Sequence, residues 1–240
     1  MRSMLLFLYA LIGLGIGSGI NWAADYLPRF ASQPPLNKRA GPRPRWSLAV
    51  REYLASAFSL NKPSHPESSL LAVGVEIVTT VLFVCIGARW DGAANVLVVA
   101  GISIFFVLLA TIDLKHRLVL NVLILPAILL VLLVRFISPD ANLVAGLLGG
   151  AFGFGIFFLV GVLRPGELGA GDVKLATFIG LFFGLPNAIW ALLIATLASG
   201  VAVIFFLLVR HSSLHRQIPY APFLCLGALC VFLANPFGFS

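Results

Sequence analysis

The stretch GELGAGDVKLATFIGLFFG, residues 166 to 184, sets a carboxylate, Asp172, behind two glycines at the mouth of an apolar run. A charge kept beside hydrocarbon is costly, so an acid in this position marks a candidate functional site. A second aspartate, Asp113, closes another apolar run 59 residues earlier, in ATIDLKHRLVLNVLILP (110–126). With the two runs as neighbouring membrane helices, both acids fall at the same depth. Two carboxylates brought together where water is sparse cannot both ionise cheaply, so one keeps a proton. The ionised member of such a pair draws a proton from water, and the protonated member donates to a carbonyl under attack. Gly169 and Gly171 suit this use, because without side chains they admit a close backbone approach and a turn with φ > 0. The same motif also reads as an ordinary helix start, since Asp is a preferred N-cap residue. Lys174 reads either as biasing the pair's protonation or the substrate's position, or as an interfacial anchor.

The elements that position these acids follow from composition. The chain has 240 residues, 60% hydrophobic and 10% charged, with a mean hydropathy of +1.04. That apolar share is well above the ~45–50% typical of soluble domains. The apolar runs are continuous and about 17–23 residues long, which points to spanning helices rather than to the alternating strands of a membrane barrel. The expected fold is an all-α polytopic membrane protein, a single membrane-embedded domain over residues 1–240. Eight spans are expected, at about 4–24, 70–89, 93–112, 118–137, 142–163, 173–185, 187–209 and 220–236. The first also has features of a signal peptide, with Arg2 ahead of the apolar stretch and Ala23-Ala24 resembling a cleavage site.

The net charge of +7 would suggest nucleic acid in a soluble protein. Here the basic residues lie between apolar runs, where membrane orientation accounts for them and no nucleic-acid partner is needed. The one long polar segment, residues 29–69, is rich in proline and carries seven Lys and Arg. Within it WSLAVREYLASAF (46–58) has the spacing of a surface-lying helix, or belongs to a loosely ordered loop. Loops alternating with this one bring its side to thirteen Lys and Arg, against Arg2, Arg89 and Arg135 on the other. The richer side, with Asp113 and Asp172, is expected to be cytoplasmic, with both termini outside.

Other residues bear on function less directly. Glu76 lies inside the second span, as a hydrogen-bonded packing residue or as part of a substrate path. Asn21 suits a hydrogen bond between helices, and Gly13, Gly17, Gly146, Gly149, Gly150 and Gly153 have small-xxx-small spacing that suits helix packing. Cys85, Cys225 and Cys230 form no CxxC pair, and His211 and His215 lack a third ligand nearby. No metal site is expected. His116 reads as a solvated loop residue.

GAGDVKL (169–175), with an aspartate ahead of it in ATIDLKHRLVLNVLILP, resembles the type IV prepilin peptidases, intramembrane aspartic proteases of the GxGD class. GSGINWAADYLPR (17–29) is similar to that family's first-span signature, and IPYAPFLCLGA (218–228) to its last. Glu76 matches an acid that often opens the second span. The resemblance implies that Asp113 and Asp172 are catalytic, with Gly169, Gly171 and Lys174 forming the motif and Glu76 and Asn21 in support. It implies removal of short basic leaders from type IV prepilins or pseudopilins at the cytoplasmic face of the inner membrane, in contact with membrane lipid. The peptidase step needs no cofactor. Many bacterial members then methylate the new N-terminus with S-adenosylmethionine. The family's paired CxxC motifs are missing from the 29–69 loop, Lys115 stands where an acid often follows, and Leu120, Tyr26 and Ala221 replace a usual Pro, Arg and Gly. A proton- or cation-coupled transporter using the two aspartates is the alternative, although transport sites tend to lie near mid-bilayer.

Overall fold

The computed structural model describes residues 2–31, 66–90, 92–138, 142–164, 168–209 and 219–235. Among them stand eight helices: α1 (Arg2–Ala31), α2 (Pro66–Arg89), α3 (Ala93–His116), α4 (Asn121–Ile137), α5 (Leu143–Leu163), α6 (Ala170–Phe183), α7 (Asn187–Val209) and α8 (Ala221–Ala234). The described residues include no strand. Five segments are long and apolar enough to cross a membrane: Met4–Pro28, Leu70–Arg89, Ala94–His116, Leu143–Leu163 and Asn187–Phe205. The apolar helices α4 and α8 are shorter. With 14 residues, α6 is about 21 Å long, less than the ~30 Å of a hydrocarbon core. Leu129, Phe136, Phe205 and Leu208 are exposed, as lipid-facing side chains are. The protein is thus a polytopic helical membrane protein. Most of the basic 29–69 segment, including 46–58 and His65, lies outside the described residues, as do His211 and His215.

Helix ends differ from the expected spans where local chemistry extends them. α1 continues to Ala31, carrying Asp25 and Pro28 inside it. α3 runs on to His116, with Lys115 and His116 in its last turn, where cations complement the helix dipole. Its end is made by Arg117, which takes φ +53. The Arg117 N–H donates to the Asp113 carbonyl at 2.8 Å, the left-handed cap that glycine more often supplies. Asp113 is therefore inside a helical turn.

The chain divides into two compact units, Met1–Ile104 and Phe105–Ser240. In the first, α1 and α2 pack antiparallel through small residues. A Cβ at Gly13 would lie 2.8 Å from Thr80 Cα, and one at Gly17 would lie 2.8 Å from Glu76 Cα. Asn21 donates to the Ala72 carbonyl at 2.9 Å along the same seam, the expected bond between helices.

In the second unit α6 is central, packing against α4, α5, α7 and α8. This explains why so short an apolar helix is held, with Leu175, Ala176, Phe178, Ile179, Gly180, Leu181 and Phe183 all buried. Its α5 face is lined by the buried Gly146, Gly149, Gly150 and Gly153. Gly149 meets Gly180, Gly150 meets the Leu181 side chain, and Gly153 meets Ala176, so the two backbones nearly touch. On another face Phe178 and Phe182 pack with Phe105 and Phe106 of α3, ring centroids 5.4 to 6.2 Å apart. These contacts set the helix bearing Asp172 beside the end of the helix bearing Asp113.

Candidate active site

Both aspartates belong to the second unit, and they are close enough for the charge of Asp113 to act on Asp172. Asp113 is only 5% exposed. Its carboxylate accepts the backbone N–H of Ala221, and the Arg117 charge acts on it as well. Its Oδ2 is buried and has no hydrogen-bond partner among the described residues. A buried carboxylate oxygen without a partner is costly, unless a proton or water completes it.

The Ala221 amide is available for a local reason. The first amides of a helix have no partner within it. At the start of α8, Pro222 has no N–H, while Phe223 and Leu224 donate to the Tyr220 carbonyl at 3.1 and 3.3 Å. That leaves Ala221 to donate outward, with the positive end of the helix dipole behind it. Tyr220 is anchored through its hydroxyl to Thr196 Oγ1 at 3.3 Å and by its ring against Phe157.

Asp172 is not the N-cap of α6. That position is Gly169, and Asp172 is the third helical residue. Its carboxylate reaches back to accept the Gly169 N–H, one half of a capping box. Gly169 has φ −74 and Gly171 is helical, so neither adopts the positive φ that the sequence allowed. Gly171 instead permits close packing: a Cβ there would lie 2.7 Å from Val119 Cβ, in the segment just after α3. Lys174 donates to Asn121 Oδ1 at 2.8 Å, an exposed link between α6 and the first residue of α4.

Cys225, 1% exposed, lies near enough for both aspartate charges to act on it. Neither Cys225, the Ala221 amide, Arg117 nor Val119 was expected at the site from sequence. Pro219 and Pro222 around Tyr220-Ala221 were the available sign of a helix start. Glu76 and Asn21 belong to the first unit. Arg135, expected as a charge on the outer side, is instead buried inside α4. Among the described residues, no three His, Cys, Asp or Glu side chains form a group able to hold a metal.

Two adjoining carboxylates, one with an unpartnered buried oxygen, can share a proton and polarise a water. The model of the type IV leader peptidase family matches residues 100–208. Among curated proteins, a prepilin leader peptidase/N-methyltransferase of Xanthomonas campestris is 29% identical over 167 residues, covering 66% of this chain and 57% of the relative. A protein of the same name from Pseudomonas aeruginosa is 27% identical over 146 residues, covering 59% of this chain and 49% of the relative. One from Pseudomonas putida is 23% identical over 158 residues, covering 64% and 55%. The chain thus spans about half the length of these curated relatives. No solved structure matches it. Residues 100–208, which hold both Asp113 and Asp172, are thus similar to the type IV leader peptidase family.

Proposed function

We propose that this protein is an intramembrane aspartic endopeptidase that removes the short basic leader from type IV prepilins or pseudopilins at the cytoplasmic membrane face. The observation that carries this reading is the approach of Asp113 and Asp172 at the ends of two helices, with Asp113 Oδ2 buried and unpartnered.

In the proposed cycle one proton is held by the pair. The ionised carboxylate takes a proton from a water between them, and the resulting oxygen attacks the scissile carbonyl carbon. The protonated carboxyl gives its proton to the carbonyl oxygen. As the tetrahedral species collapses the C–N bond breaks, the departing nitrogen takes a proton from the pair, and a diol hydroxyl returns its proton to the pair as the carbonyl re-forms, so the pair again holds one. The Ala221 N–H keeps Asp113 oriented throughout. The cytoplasmic setting is supported by the excess of Lys and Arg in the loops on that side, which also matches where a basic leader would wait.

S-adenosylmethionine is not needed for cleavage. The cleavage steps use the two carboxylates and a water alone. The test is co-expression with a candidate prepilin, followed by sequencing and mass measurement of the product's N-terminus. Cleavage after a leader glycine supports the reading, and the product mass reads methylation in the same experiment. An uncut prepilin beside correctly inserted protein contradicts it.

A further inference from the structure

We infer that Arg135 is a positioning residue for Asp172, gripping α6 at the end opposite the carboxylate; this rests on the peptidase reading above. Arg135 lies in the last turn of α4 and is 5% exposed. A lone cation inside an apolar bundle is costly unless its hydrogens are used. All three kinds of guanidinium nitrogen are used here. Nε donates to the Leu181 carbonyl at 2.7 Å, Nη2 to the Phe182 carbonyl at 3.0 Å, and Nη1 to the Asn142 carbonyl at 2.7 Å. Leu181 and Phe182 supply two of the last four α6 carbonyls, which have no partner within the helix and carry its negative pole. Asn142 is the N-cap of α5. One planar fork thus ties α4 to the end of α6 and the start of α5.

The slot is built from glycine. A Cβ at Gly146 would lie 2.7 Å from Arg135 Nε, and one at Gly184 would lie 3.2 Å from Nη2. Gly184 also takes φ +67, a conformation that side-chain-bearing residues rarely adopt. The role follows from the α5–α6 seam. Gly149, Gly153, Ala176 and Gly180 make it smooth, with few interlocking side chains to oppose axial slip. The Arg135 fork supplies the missing stop. A helix is stiff along its axis, so a slip of one residue's rise, about 1.5 Å, at Leu181 reaches Asp172 nearly undiminished. A misplacement of about 1 Å can cost roughly 100-fold in rate.

Kinetics of Arg135→Gln and Arg135→Lys on a prepilin, per correctly inserted molecule, provide the test. The expected result for Arg135→Gln is a kcat at least tenfold lower, KM within about twofold, and an altered pH dependence of kcat as the two carboxylates lose their spacing. Arg135→Lys, a point charge without the fork, should fall between Gln and wild type. Hydrogen exchange of the α6 amides should quicken from Leu181 back to Asp172 in both variants. Unchanged kcat with unchanged exchange would overturn the inference. If Arg135→Gln does not insert, Gly146→Ala keeps the cation and crowds Nε; a lower kcat there supports positioning. Failure of every variant to insert would assign Arg135 to assembly alone and overturn the proposal. An inactive wild type would count against the peptidase reading, and the exchange data would still judge the grip of Arg135 on α6.

Discussion

Gly171→Ala should slow cleavage by roughly 20-fold, because that glycine keeps the two aspartate-bearing segments in contact. Two effects oppose each other. Alanine is the better helix former by about 1 kcal/mol, which alone would stabilise α6. The added Cβ would however lie 2.7 Å from Val119 Cβ, about 0.7 Å short of the 3.4 Å where ordinary contact begins. Val119 Cβ is bound to the main chain and cannot swing aside, so the segments must part by most of that amount. With about 100-fold lost per 1 Å of misplacement, a 0.7 Å separation predicts roughly 20-fold in kcat. Stability should change less, since overpacking costs about 1–3 kcal/mol and the helix propensity offsets part of it. Initial rates on a purified prepilin, with thermal unfolding of the same samples, measure both quantities. Compensation sharpens the test. Val119→Gly in the Gly171→Ala background removes the opposing atom and should recover most of the rate, whereas Val119→Ala retains it and should not. A wild-type rate for Gly171→Ala, or equal rescue by both partners, would refute the reasoning.

Three other outcomes are expected. Lys174→Gln and Asn121→Ala should each lower cleavage by less than about fivefold, because exposed contacts of this kind contribute about 1 kcal/mol or less; a loss of 100-fold in the rates would give Lys174 a direct part in the chemistry. Single cysteines at Ser47 and Ser138 should label from opposite sides of the membrane, Ser47 from the cytoplasm, and labelling of Ser47 from outside intact cells would reverse the orientation. Cleavage should survive strong chelators, and elemental analysis should find far less than one zinc per chain; activity lost to chelator and restored by zinc would point to His211 and His215.

Much of this arrangement was legible in the residues. Long apolar runs without alternation can only be helices in lipid, and eight such runs correspond to the eight described helices. Asp113 and Asp172 stood out as candidates because acids are rare and costly in such a chain. The glycine faces and Asn21 were legible because small residues and amides have few other uses between apolar helices. Backbone chemistry was not. The Ala221 amide that holds Asp113 belongs to no residue type, and it is free only because of how Pro222 and Tyr220 start α8. The helical setting of Asp113 depends on Arg117 taking a left-handed conformation, which its side chain does not announce. Arg135 was counted as an outer-side charge because sequence does not tell a snorkelling arginine from one buried against helix carbonyls. Two of its three carbonyl partners lie 46 and 47 residues away.

In the proposed mechanism Asp113 and Asp172 act as one water-activating pair. The most direct measurement is prepilin cleavage, read by sequencing the product's N-terminus, for wild type, Asp113→Asn, Asp172→Asn and the double variant, with insertion checked for each. Cleavage is expected from wild type and from neither single variant, the double being no worse than the singles, since groups acting as a unit are not additive. Cleavage at the wild-type rate by either single variant would contradict it.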